Sequence, residues 1–543
     1  MFNRNQNRIL LVSLVVFVAL VYFLGLFVDV AGDAGKYAAI SKNIFHSGDW
    51  INLTIHGDPY REKPPLLFWL GTLGYYLFGI NNFGYKFFPV LYAFFGVYCV
   101  YRLGESLYTK RIGRLAALLI AFSEIYFLYN VDVHTDMVLM TNVVFALWQL
   151  YDYLQRKKAL NFVLGFFAVG LAIMTKGPIG AFVPAMAVAT YLVSQKKFIE
   201  LVHPKWLLGI LIAVVTASPA FVGLYQQFGM EGLKFFFWTN NFGRIAGTYV
   251  VRGNTDYFFY LHTLLYMYAP WSLVLFVALF FEFKDLVKKR FSGAEYFLFG
   301  GTWFFFVILT IAKGKSPNYM LILIPLLTIV MAKWLSLFWE DPKSKLFKVL
   351  SKMQVVMVVL LWVCILLFNA YLFPSKNVAY WLLIIAAIGV TYYIYRKNKE
   401  VQVRFLAPSM LVIALVGFSF NAHILPVIFQ YQSSVVATRK YNELSKPGEH
   451  LYNYDYEQFE LFFYGKDDVK LISDTTMLDS VCHIPGSWIF CYDKGLNDIK
   501  RLNAPIDTIY KFKHRGIYRT GIKFILPSSR AKTLRNTYLV KTK

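Results

Sequence analysis

Apolar residues run in long uncharged blocks along this chain, and short polar turns separate the blocks. The first, 9–28, holds 20 residues without a charge, enough for a helix to cross a hydrocarbon core of about 30 Å. No small-residue cleavage site follows it, so it reads as a retained helix and not as a cleaved leader. Similar blocks predict thirteen spanning helices, at about 9–29, 85–104, 115–130, 135–154, 160–174, 179–194, 206–228, 257–283, 293–312, 318–340, 353–373, 378–395 and 405–425. Two long loops, 30–84 and 229–256, interrupt them. In the first, 37–45 and 66–69 are short, aromatic and amphipathic, as helices lying in the membrane interface are. After about residue 426 the pattern changes to short β-like runs such as 487–491 and 508–512. The expected architecture is a polytopic α-helical membrane domain over 1–425 followed by a small soluble α/β domain over 426–543.

The basic residues assign sides. With residue 1 in the cytoplasm, the inward turns carry 23 Lys and Arg in 65 residues and the outward ones 11 in 101. Positive charge belongs on the cytoplasmic side. The two long loops and the tail therefore fall outside, with the N-terminus cytoplasmic and the C-terminus periplasmic in a bacterial inner membrane.

Composition sharpens this picture. The chain is 57% hydrophobic and 16% charged, with a formal net charge of +24 and a mean hydropathy of +0.49. A strong positive charge can mean nucleic acid, but no nucleic-acid motif is present. In a membrane protein the excess fixes orientation and meets anionic lipid head groups. Four cysteines without metal-ligand spacing argue against structural zinc. Cys482 and Cys491, in the outer tail, are the one pair open to a disulfide.

Where charge is scarce, outward charges near the bilayer need a reason. They are Asp33, Lys36, Glu62 and Lys63 in the first loop; Asp132, His134 and Asp136 after the third block; Lys176; Arg244 and Arg252; and Lys313 and Lys315 beside Tyr319. Each has a bland alternative. Asp33 and Asp136 suit helix caps, Glu62 and Lys63 a surface ion pair, the lysines snorkelling anchors, and the histidines structural hydrogen bonding. Together they suit group transfer from an anionic donor. Cations stabilise a leaving phosphate as its charge develops, and a carboxylate orients or deprotonates the acceptor.

The segments that carry these residues resemble a known family. Asp33-Ala34-Gly35-Lys36-Tyr37-Ala38-Ala39-Ile40-Ser41 is similar to a D-E-x-R-Y-A-E-I segment. Ser47-Gly48-Asp49-Trp50, followed by Pro59-Tyr60-Arg61-Glu62-Lys63-Pro64-Pro65-Leu66-Leu67-Phe68-Trp69, is similar to G-D-W … P-Y-F-E-K-P-P-L-L-Y-W. Both belong to GT-C glycosyltransferases that use polyprenyl-phosphate sugars, specifically the aminoarabinose–lipid A transferases and their protein-mannosyltransferase-like relatives. Thr175-Lys176-Gly177-Pro178 and Lys315-Ser316-Pro317-Asn318-Tyr319 add shorter matches.

The resemblance implies a GT-C fold and a membrane glycosyltransferase. It would move a sugar from undecaprenyl phosphate to lipid A or lipopolysaccharide, or else to a protein hydroxyl or another glycan. Asp33 would be the catalytic carboxylate and Asp136 the second acidic position. Lys63, Arg244 and Tyr319, with Tyr37, Tyr60, Lys36 and Lys315, would hold the donor phosphate. Glu62 and His423 would be candidate ligands for a divalent metal. Membrane lipids are the remaining partners. Three departures stand out: Ala34 replaces a second acid, Lys36 an arginine, and Asn240-Asn241 a Glu-His pair. A single displacement implies inversion at the anomeric carbon. The competing class is a lipid transporter, which needs midplane charges or an inverted repeat; neither is evident in the sequence.

Overall fold

The computed structural model describes residues 4–241, 243, 246–248, 254–516 and 521–543. Every expected span has a helical counterpart. Eight helices among the described residues are long and apolar enough to cross a membrane, and a ninth forms if Lys110–Ala121 and Glu124–Val131, bent by 55°, are taken as one span. The remaining four are shorter, broken or more polar. Thr135–Arg156 starts and ends with charge. The block at 257–283 divides into Phe259–Met267 and Ser272–Val287. One of the eight, containing Lys205–Lys234, is interrupted at Gly229, whose φ of 59° and ψ of −147° suit only a residue without Cβ.

Local chemistry sets the helix ends. The Asn81 and Thr109 side chains accept from Gly84 N at 2.9 Å and Ile112 N at 3.3 Å, filling N–H groups that a helix start leaves open. The buried Lys86 ammonium donates to Gly25 O at 3.2 Å and Val28 O at 2.7 Å, so a cation meets carbonyls at the end of the first span. Elsewhere in the bundle, Lys333 Nζ lies 3.0 Å from both Glu282 Oε2 and Glu295 Oε1. This buried triad ties three helices together.

The tail is a mixed five-stranded sheet. Its order is Lys470–Leu471, Leu451–Asn453, Trp488–Tyr492, Arg535–Thr542, Ile506–His514, with the first two pairings parallel and the last two antiparallel. All four cysteines are free, so Cys482 and Cys491 serve as buried packing residues and not as a bridge.

The first loop and the tail share one apolar core. Tyr37, Ile40 and Phe68 pack in a cluster with Tyr441, Phe463, Trp488 and Leu539. The interfacial helix Asp33–Ser47 lies against the short tail helix Phe459–Tyr464. This arrangement puts the loop and the tail on the same side of the helical bundle.

Candidate functional site

Two groups of side chains gather around the first loop. The first lines a cavity of about 250 Å³ whose polar rim is Lys63, Asp136, Lys176, Asn240, Asn241 and Tyr319. Its walls continue into the apolar side chains Phe182, Phe305, Ile308 and Leu309 on the spans Ile179–Ser194 and Gly293–Ile311. The position is a consequence of three helix ends. Asp136 occupies the first turn of Thr135–Arg156, Lys176 ends Ala159–Lys176, and Tyr319 lies in the 3₁₀ turn Pro317–Ile322.

Asp136 is buried and paired. One carboxylate oxygen meets the Lys176 ammonium, and the other accepts from Asn318 Nδ2 at 2.7 Å. Lys176 also stands over the Tyr319 ring, 4.3 Å from its centroid, within cation–π range. The cavity is therefore cationic and aromatic at its mouth and apolar at depth. That polarity suits a phosphate on a hydrocarbon chain.

The second group surrounds the start of the interfacial helix. Asp33 is the first helical residue, and Tyr37 follows one turn later on the same face. No hydrogen bond or ion pair among the described residues engages the Asp33 carboxylate. Tyr37 is buried, its ring 5.6 Å from Phe68 and 6.0 Å from His134. Burial first, then the Asp33 carboxylate, Tyr60 and Asp136, hold its hydroxyl well above the usual tyrosine range, so it stays protonated. His134 Nε2 lies 3.2 Å from Asp132 Oδ2. Burial opposes charge on both partners, but Asp132, with Asp136 and Asp33, raises the His134 pKa overall, and His134, with Lys86, lowers that of Asp132.

Lys36 Nζ contacts Glu62 Oε2 at 2.7 Å and lies 5.4 Å from the Tyr60 ring centroid. Asn240 joins the two groups, for it lines the cavity and donates to the Glu62 carbonyl at 3.1 Å.

Thus the structure gathers Lys63, Asp136 and Tyr319 on one cavity, and Asp33, Tyr37, Lys36, Tyr60 and Glu62 beside it. Lys315 is turned elsewhere: its Nζ donates to Asp256 O at 2.7 Å and faces the Tyr257 ring. Arg244 and Arg252 lie outside the described residues. The expected Glu62–His423 metal pairing finds no common site. Glu62 is bound to Lys36, whereas His423 Nε2 contacts Phe373 O at 2.8 Å and its ring faces Tyr380. Among the described residues no group of three His, Cys, Asp or Glu could hold a metal. Sequence reasoning passed over Asn318, although the segment containing it was legible; only the fold shows that it reaches Asp136.

Residues 62–222 match the family described as dolichyl-phosphate-mannose-protein mannosyltransferase. The chain is 28% identical over 312 residues to the undecaprenyl phosphate-alpha-4-amino-4-deoxy-L-arabinose arabinosyl transferase of Edwardsiella ictaluri, covering 55% of this chain and 54% of that one. It is also 28% identical over 307 residues to the enzyme of the same name from Pseudomonas savastanoi, covering 55% and 56%. The chain thus matches about half the length of these relatives. The crystal structure of ArnT from Cupriavidus metallidurans bound to undecaprenyl phosphate superimposes with a TM-score of 0.75 at 19% identity, over 98% of this chain and 97% of that one. The chain therefore shares the fold of that structure, a helical bundle followed by a sheet-containing region.

Proposed function

We propose that this chain, a relative of the GT-C aminoarabinose-transferase and mannosyltransferase-like proteins, is a multi-pass inner-membrane glycosyltransferase. It moves a sugar from undecaprenyl phosphate to lipid A at the outer face of the membrane. The observation that carries the reading is the cavity of Lys63, Asp136, Lys176 and Tyr319, polar at its mouth and apolar between two spans. The donor phosphate sits among the cations and its prenyl chain runs down the Phe182–Phe305 wall. The periplasmic placement of the tail rests on the basic-residue asymmetry of the turns.

In this mechanism Lys63 and Lys176 stabilise the phosphate as it leaves, and Tyr319 holds Lys176 in place. Asp33 orients the incoming acceptor oxygen at the anomeric carbon, with the buried, protonated Tyr37 one helical turn away. An acceptor phosphate is already anionic and needs only orientation. A hydroxyl acceptor needs Asp33 as base. In either case attack from the face opposite the phosphate inverts the anomeric centre.

The test is transfer of labelled aminoarabinose from its undecaprenyl-phosphate donor to lipid A by the purified protein in lipid nanodiscs. Wild type transfers label and Asp33→Asn does not. Label on a protein acceptor and none on lipid A would reassign the acceptor. Equal transfer by both proteins would remove Asp33 from its role.

A further inference from the structure

The tail domain reaches the peptide directly before Asp33. Glu460, 1% exposed, accepts from Gly32 N at 2.7 Å through Oε1. The same carboxylate takes Gln432 Nε2 at 3.2 Å and Ser434 Oγ at 3.0 Å. A buried carboxylate is costly unless donors surround it; here three neutral donors do so, and one of them is the backbone of the candidate catalytic loop. Burial raises the Glu460 pKa, and the Gly32 N–H, Ser434 and the nearby Arg515 oppose that rise.

The loop is shaped to receive it. Gly32 has φ 60° and ψ −128°, open in practice to glycine alone. A Cβ at Gly35 would stand 3.4 Å from Glu460 Cγ. Neighbouring contacts fix the same stretch. The Tyr464 hydroxyl accepts from Val30 N at 2.8 Å, and Arg439 Nη2 meets Asp29 Oδ1 at 2.5 Å. Further along the helix, Lys42 Nζ donates to Gly465 O at 2.6 Å and Phe462 O at 3.1 Å.

From these contacts we infer that Glu460 is a positioning residue for transfer, one that sets the place of Asp33 by holding the Gly32 peptide. The tail is then a working part of the site and not an appended domain. This inference rests on the reading of Asp33 given above. Misplacement of a reacting group by about 1 Å costs on the order of 10²-fold in rate, so loss of this single acceptor is expected to appear in kcat and to leave donor binding alone.

The experiment compares wild type, Glu460→Ala, Glu460→Gln, Glu460→Asp and Asp33→Asn, all as full-length protein in nanodiscs. It reads kcat, KM for the donor, and hydrogen exchange of peptides covering 28–40. Glu460→Ala is expected to lower kcat about 10²-fold, to keep the donor KM, and to speed exchange at 30–34. Glu460→Gln keeps an acceptor oxygen at the same reach and is expected to recover most of kcat. Glu460→Asp falls short by one methylene and is expected to lie between them. If Glu460→Ala does not fold, the Asp and Gln variants decide alone. Wild-type kcat in Glu460→Asp or Glu460→Ala, or unchanged exchange at 30–34, overturns the inference. An active Asp33→Asn overturns the role of Asp33 instead, while the exchange data still judge the clasp.

Discussion

The Lys176 ammonium lies between the Asp136 carboxylate and the face of the Tyr319 ring, 4.3 Å from the ring centroid. One cation thus answers a buried acid and caps the mouth of the donor cavity. Breaking a buried pair from one side leaves an uncompensated charge and costs about 3–5 kcal/mol. Lys176→Met is therefore expected to lower the unfolding temperature in detergent and to raise the donor KM. Adding Asp136→Asn is expected to return stability but not donor binding. A double variant as unstable as the single one would deny the pairing.

Lys36 and Glu62 make a different kind of pair. The Lys36 side chain is 13% exposed and that of Glu62 48%, so solvent screens the bond and it contributes on the order of 1 kcal/mol. Lys36→Gln is expected to leave thermal stability nearly unchanged and to reduce kcat/KM for transfer by about tenfold or more, the loss of one charge-assisted contact to phosphate. A parallel loss of stability and activity would assign Lys36 to structure alone.

Glu62 and His423 have separate partners, so their substitutions should act independently. The free-energy effects of Glu62→Gln and His423→Ala on transfer are expected to add within about 0.5 kcal/mol, as they do for sites that share no contact. Strong coupling in the double-mutant cycle, together with loss of activity on chelation, would restore a shared metal.

His514 gives the tail a pH dependence. Burial first, then Arg515 and Arg535, lower its pKa from 6.5 to about 4. The folded form binds its proton less readily than the unfolded form, so its contribution is complete above pH 6.5 and is lost as pH falls toward 4. Unfolding temperature is expected to drop over that window and to drop less in His514→Gln. Equal slopes in the two proteins would show that His514 is not responsible.

The spans were legible because a bilayer demands long uncharged runs, and such runs are a local signal. Breaks near 122 and 268 were not, since they depend on packing against other spans. The site was legible in part. Asp33, Lys63, Asp136 and Tyr319 lie in short motifs, in turns that the charge pattern assigns to one side. Their pairings were hidden, because Asp136 meets Lys176 and Asn318 only after three helix ends converge. Glu460 gave no sign at all: in sequence it is one acid among twelve in a mixed tail, and only docking buries it.

The clasp on Gly32 also orders the life of the molecule. Glu460 lies 428 residues downstream of the peptide it holds. Asp33 is therefore made well before the residue that braces it. Domains form as the chain emerges, so every partial product carries the acid without its support. A chain that stops between the two would keep its hold on the donor but transfer about 10²-fold more slowly, and full competence would arrive only with the clasp.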